Sequence, residues 1–241
     1  GAAGPAGVGA GGWELEHGIA PARLERAREV LARRTDAVRL VFDGPGPEDM
    51  GNVSACLRTM DLFGVQFAEV VAAPEARVEI GEQNRGSRAW VTVRWWSGAR
   101  ECLEWLAGAG YRVVVLGPGS DGAAELEEAL PRPEEGGEPV RVAAVLPAAG
   151  GAPAPAWLEA AGALRAQLPA LGFARELSLN VTCGALLESL RLAGLLREGS
   201  LDAGARGAVW ESWLLALHSK RRRQRLLRAM EGPEPAAAAP A

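Results

Sequence analysis

Leu177-Ser178-Leu179-Asn180-Val181-Thr182-Cys183-Gly184-Ala185-Leu186-Leu187 is the stretch that decides how this chain is read, because a polar cluster around Asn180 opens an apolar run of helical period. Asp49-Met50-Gly51-Asn52-Val53-Ser54-Ala55-Cys56-Leu57-Arg58-Thr59 is built the same way around Asn52. Both patterns place their polar side chains where a loop enters a helix. A helix start presents unpaired N–H groups and a partial positive charge, which suit carboxylate, phosphate or hydroxyl oxygens. Two such starts, the first followed within two turns by Arg58, predict one composite site.

Outward from these stretches, short apolar runs alternate with helical patterns. Pro21 marks a helix start, after which Arg23 to Arg34 carry Leu24, Ala27, Val30 and Leu31 on one face. Strands are expected at Val38–Phe42, Phe67–Val71, Trp90–Val93, Arg112–Leu116 and Arg141–Leu146. Helices are expected at Asn52–Phe63, 97–108, Asp121–Leu130, Asn180–Leu196 and Gly207–Met230, the last with Trp210, Trp213, Leu214 and Leu217 on one side. Apolar strands alternating with helices predict an α/β fold, a mostly parallel sheet with helices on both faces. Ligands bind such sheets beyond the carboxyl ends of the strands, so the loops after Phe42, Leu116 and Leu146 form the expected rim. Residues 1–20, Gly/Ala-rich, and 232–241, Pro/Ala-rich, read as flexible tails.

With 241 residues, 48% of them hydrophobic, the chain can bury a sizeable core as one domain with appendages. No apolar run is long enough to span a bilayer, so no membrane partner is expected. The first residue is Gly rather than Met, so a trimmed product is expected whose targeting peptide is not visible. Cys56, Cys102 and Cys183 are odd in number, scattered, and without metal-ligand spacing. They fit structural thiols in an intracellular compartment, the cytoplasm or an organelle such as a chloroplast or mitochondrion. No metal is expected.

The net charge of −4 does not advertise a nucleic-acid binder, but its distribution does more. Lys220 is the sole lysine, which either reflects planar phosphate contact by Arg or a GC-rich genome. Lys220-Arg221-Arg222-Arg223-Gln224-Arg225 offers phosphate contacts, with a solvated helix end as the alternative. P-loop and HExxH motifs are absent. Gly117-Pro118-Gly119-Ser120 fits a tight turn as well as a cofactor loop. His17 and His218 flank no carboxylate pair, which argues against a His-based nucleophile relay.

The order of these parts resembles the SpoU-type, or TrmH-class, RNA 2′-O-methyltransferases of the SPOUT superfamily, over roughly Arg23 to Arg197. Asp49, Asn52, Val53, Ser54, Ala55, Arg58 and Thr59 match the family's first motif. Ser178, Leu179, Asn180, Val181 and Thr182 match its third. Gly86-Ser87-Arg88-Ala89-Trp90-Val91 resembles a segment of the tRNA-modifying branch. The resemblance implies a C-terminal trefoil knot, S-adenosylmethionine as cofactor, a homodimer, and RNA as substrate, with tRNA guanosine ribose foremost. By analogy Arg58 works with the RNA phosphate at the ribose 2′-hydroxyl, Asn52 orders the site, and Ser178 and Asn180 position Arg58 and substrate. The cofactor is expected against Leu116, Gly117, Leu146, Pro147, Ala148, Leu168, Leu171, Leu177 and Leu179. RNA is expected on Arg26, Arg33, Arg34, Arg85, Arg88, Arg221, Arg222 and Arg223. The implied domains are a knotted methyltransferase domain at 21–200 and a basic helical extension at 201–231.

The chain departs from the family in its second motif, whose Glu takes part in the site. Here Leu146-Pro147-Ala148-Ala149-Gly150-Gly151 puts Ala at that place, and Glu176 is a candidate substitute. Met50 stands for the motif's Pro. Two readings follow: an enzyme that manages without that carboxylate, or a catalytically decayed RNA-binding or ribosome-assembly scaffold.

Overall fold

Thr35–Asp43 (β1) is buried at every residue but its last, as a strand covered on both faces must be. In the computed structural model, which describes residues 15–74, 76, 86–117, 123–132, 139–147, 162–169, 171–173 and 177–231, β1 lies inside a parallel sheet. The other strands are Val65–Val71 (β2), Thr92–Trp96 (β3), Tyr111–Leu116 (β4), Ala124–Glu125 (β5), Arg141–Pro147 (β6) and Leu164–Gln167 (β7). Among the described residues the order is β3-β2-β1-β6-β4-β7-β5, with every pairing parallel.

Alternation along β1 sorts its side chains between the two faces. Val38, Leu40 and Phe42 join one apolar cluster with residues of the helices Met50–Leu62 (α2), Leu126–Ala129 (α4) and Leu179–Leu192 (α5). Val41 joins a smaller cluster under the helix Ala99–Gly108 (α3), on the opposite face. The expected α/β sheet with helices on both faces is the architecture found.

The chain divides into two compact units, one of them Ala32–Leu201. The second joins the segment up to Leu31, including most of helix Pro21–Arg33 (α1), to the segment from Asp202 onward. In this second unit Ala203–Leu217 (α6) starts at Asp202, whose carboxylate accepts from the Ala205 N–H at 2.8 Å. Arg28 lies over the Trp210 ring at 5.1 Å. Leu15 and Ile19, expected in a flexible tail, are instead buried. Their i, i+4 spacing buries one face of a turn that the surrounding Gly and Ala hide from compositional reading.

The elements differ from expectation where local punctuation was read through. The helix expected over Gly207–Met230 is two, α6 and Lys220–Glu231 (α7). His218 is extended and buried, its Nε2 2.6 Å from the Leu15 carbonyl, and Ser219 opens the next helix by accepting from the Arg222 N–H. α5 stops at Leu192 because Gly194 adopts φ +72° and the Leu195 N–H returns to the Leu190 carbonyl. Of the helix expected over Asp121–Leu130, α4 covers four residues, with β5 ahead of it. The strand expected at Trp90–Val93 sits later, at Thr92–Trp96, behind a 3-10 turn at Ser87–Ala89. β7 had no counterpart, being short and half-exposed, with Arg165 and Gln167 interrupting its apolar pattern.

Candidate functional site

Because all strands run parallel, α2 and α5 both begin at the carboxyl edge of the sheet, the first after β1 and the second after β7. Both bury their apolar sides on the same face, and they pack on each other. The neighbouring Cys183 thiol, together with burial, pushes the Cys56 thiol well above the ordinary thiol range. A Cβ placed on Gly184 would stand 4.0 Å from the Thr59 methyl.

This contact fixes where the two asparagines lie. Asn52, Cys56 and Thr59 occupy i, i+4 and i+7 of α2, one stripe of its surface. Asn180, Gly184 and Leu187 do the same on α5, with Cys183 beside them. Each asparagine therefore sits on the stripe turned toward the other helix. Each lies within about one turn, roughly 4.5–6 Å along the axis, of the Cys56–Cys183 contact. The structure brings the two helix starts together.

Neither start is closed by its own cap. Asp49, ahead of α2, makes no side-chain bond to the helix and accepts from the Gly46 N–H at 3.2 Å. Ser178, ahead of α5, makes none either; its hydroxyl donates to Asn180 Oδ1 at 2.7 Å. The first-turn N–H groups are left without a side-chain cap, the condition for accepting oxygen ligands. Asn52, Arg58, Ser178 and Asn180 are all exposed, and Arg58 makes no ion pair among the described residues.

The expected cofactor residues divide. Leu116 and Leu146 end β4 and β6 at the rim, but their side chains are buried in the core, so they can offer a ligand only backbone there. Gly117 follows Leu116, its N–H bonded to the Ala166 carbonyl at 3.1 Å, with open space where a Cβ would stand. Pro147 pairs in register with Asp43, and Leu168 and Leu179 pack against the core. Leu177 is exposed and Leu171 fully so, standing away from any packed wall. Ala148 and the candidate substitute Glu176 lie outside the described residues.

The expected RNA contacts divide more sharply. Arg34 is a correction: it is 1% exposed and ion-paired with Asp61, so it serves the packing of α2 and not a phosphate. A guanidinium drawn into the core in this way has exchanged water for a fixed partner and cannot reach a ligand. Arg223 is exposed but donates to the Leu215 and Ala216 carbonyls at 2.9 and 3.1 Å, closing the end of α6. Arg222 contacts His17 Nδ1 at 3.2 Å, and Arg26 pairs with Glu29 at 3.1 Å. Arg33 and Arg221 are exposed and Arg88 half-exposed, while Arg85 lies outside the described residues.

One residue of the rim was not picked out from the sequence. Asp43 ends β1 at the carboxyl edge, and burial lifts its carboxyl above the usual range. The signal was there in principle: an acidic residue closing an otherwise apolar strand, where parallel sheets bind ligands.

No family model and no curated protein sequence matches this chain. Solved structures do. A TrmH/SpoU tRNA modifying enzyme of A. aeolicus superposes with a TM-score of 0.63 at 21% identity, over 83% of this chain and 96% of that one. An AdoMet-bound rRNA methyltransferase from Sinorhizobium meliloti superposes with a TM-score of 0.50 at 20% identity. There 69% of this chain is covered, and the chain spans 60% of that protein's length. The parallel sheet, with its two helix starts at one edge, is thus the fold of the TrmH/SpoU enzymes.

Proposed function

We propose that this protein is an S-adenosylmethionine-dependent RNA ribose 2′-O-methyltransferase, with tRNA guanosine its foremost substrate, acting as a homodimer. The observation that carries the proposal is the pairing of two uncapped helix starts, bearing Asn52 and Asn180, with Arg58 within two turns, exposed and without an ion pair among the described residues. The fold of the A. aeolicus enzyme supports the same reading. So does the strand order, in which β6 enters between β1 and β4 and α5 returns onto α2, a path compatible with the C-terminal trefoil knot. The free, buried cysteines fit a reducing compartment.

The residues present fit the cofactor at the carboxyl edge. Gly117 leaves open space at the end of β4, between the strands that end at Pro147 and Gln167. S-adenosylmethionine, when bound, supplies an activated methyl group on a sulfonium, which needs alignment and removal of a proton rather than a metal. Arg58 holds the RNA phosphate and stabilises negative charge developing on the ribose oxygen; a guanidinium has no lone pair to offer and is a poor proton acceptor. Asn52 and Asn180 orient the hydroxyl, and Ser178 holds Asn180 through its 2.7 Å bond. Arg221, exposed on α7, meets the RNA backbone.

Transfer of tritiated methyl to bulk tRNA tests this reading. Arg58→Ala is expected to lower the rate by about a hundredfold or more, the loss typical of one charge-stabilising donor. A variant as active as the native protein removes Arg58 from the mechanism. Arg221→Ala is expected to reduce the salt dependence of RNA affinity by about one unit of slope. The scaffold reading has its own support in Ala148 and Ala149, which stand where the family's second motif carries Glu. Calorimetry separates the two: retained RNA affinity without cofactor binding at millimolar concentration favours the scaffold.

A further inference from the structure

Asp43 is held differently from Asp36 and Glu69, the acids of the ionic network on its face of the sheet. Asp36 accepts from Arg39 and Arg141, both at 2.8 Å, and Glu69 accepts from Arg39 and the Trp96 indole, both at 2.7 Å. Asp49, in the loop beyond, accepts from Gly46. Asp43 is half-buried, yet no donor or cation among the described residues reaches its carboxylate. Desolvation accounts for the rise of its pKa. A partly buried carboxylate without a partner costs stability, and such groups persist where a ligand supplies what the fold does not.

Its position names the ligand's place. Asp43 pairs in register with Val71 of β2 on one side and Pro147 of β6 on the other. Neighbouring strands stand about 4.8 Å apart, so its backbone is one strand spacing from the point where β6 leaves the sheet. The residues that follow Pro147 in the sequence are Ala148-Ala149-Gly150-Gly151, with no acid among them. A carboxylate from the adjacent strand can serve the same edge.

We propose that Asp43 is a cofactor-binding residue whose carboxylate receives the cationic part of S-adenosylmethionine at the edge between β1 and β6. The inference rests on the methyltransferase reading. The sulfonium and the α-ammonium are the cationic groups of that cofactor. A desolvated carboxylate attracts such a charge more strongly than one in water does.

Calorimetric titration of the full chain with S-adenosylmethionine, alongside thermal unfolding, tests it. Asp43→Asn keeps the shape and removes the charge. It is expected to fold, to melt no lower than the native protein, and to bind the cofactor about tenfold or more weakly. Asp43→Glu, which keeps the charge, is expected to retain more affinity than Asp43→Asn. Native affinity in Asp43→Asn, or equal affinity in the two variants, overturns the assignment while leaving the methyltransferase reading intact. Absence of binding by the native protein overturns both. S-adenosylhomocysteine, which keeps the ammonium and lacks the sulfonium, tells which cation is received. The affinity difference between the native protein and the Asp43→Asn variant persists with this ligand if the ammonium is received, and vanishes if the sulfonium is.

Discussion

The two faces of the sheet are built from alternate residues of the same strands, yet they are held by different physics. Toward α2 and α5, β1 sends Val38, Leu40 and Phe42 into an apolar cluster with Val53, Leu57, Met60, Leu186, Leu187 and Leu190. Toward α3, the same strand sends Arg39, which bonds Asp36, Glu69 and the Tyr111 hydroxyl and lies 4.2 Å over the Phe67 ring. Arg141 completes the network through Asp36 and the Ala109 carbonyl, while burial raises the Tyr111 phenol. The first face gains from area removed from water, which is forgiving of shape and additive in small steps. The second depends on each charge keeping its partner, because a buried ion left alone costs more than the pair ever contributed. The face that carries the candidate helix starts is the forgiving one.

The contrast can be broken most directly at Arg39. Arg39→Ala strands Asp36 and Glu69 and is expected to cost about 3–5 kcal/mol in urea unfolding. Leu187→Ala, on the other face, removes buried area and leaves a cavity, for about 2–4 kcal/mol. A smaller loss at Arg39 than at Leu187 would mean that the ionic face relaxes around a missing charge and that the contrast is wrong. Asp43→Asn sharpens the point through pH. A carboxyl whose folded pKa is raised binds more protons folded than unfolded, so its contribution to stability falls as pH rises above its ordinary 3.8. The Asn variant should lose that decline and melt higher than native at neutral pH; equal melting profiles from about pH 4 to 8 would show that the carboxylate is not desolvated. Gly184→Ala probes the spare room between α2 and α5. The added methyl meets Thr59 at an ordinary 4.0 Å, so relief of glycine's backbone freedom should stabilise by about 0.5–1 kcal/mol. Arg26→Ala, breaking an exposed pair with Glu29, should change stability by less than about 0.5 kcal/mol.

Much of the sheet was legible because parallel strands covered on both faces are written as apolar runs, and five such runs stand out between Val38 and Leu146. The two motif helices were legible for a different reason: a polar cluster ahead of a helical period marks an N-terminus wherever it occurs. β7 was not, since a four-residue strand with Arg and Gln at alternate positions has too little pattern to rise above its surroundings. The break between α6 and α7 was missed although Ser219 is a serviceable cap, because the residues on both sides are good helix formers and the burial of His218 is a tertiary fact. Arg34 and Arg33 are adjacent and chemically identical, and nothing local tells that one is buried against Asp61 and the other exposed.

By itself the sequence determined the alternation of strand and helix, the parallel sheet, and the chemistry offered at two helix starts, since period and capping are local properties of the chain. Tertiary structure decided which charges are partners and which are free. It set Arg39 among acids, took Arg34 out of solvent and left Asp43 without a cation among the described residues. Those outcomes depend on strand register and on which helix covers which face, and they join residues too distant in the chain for any local pattern to encode.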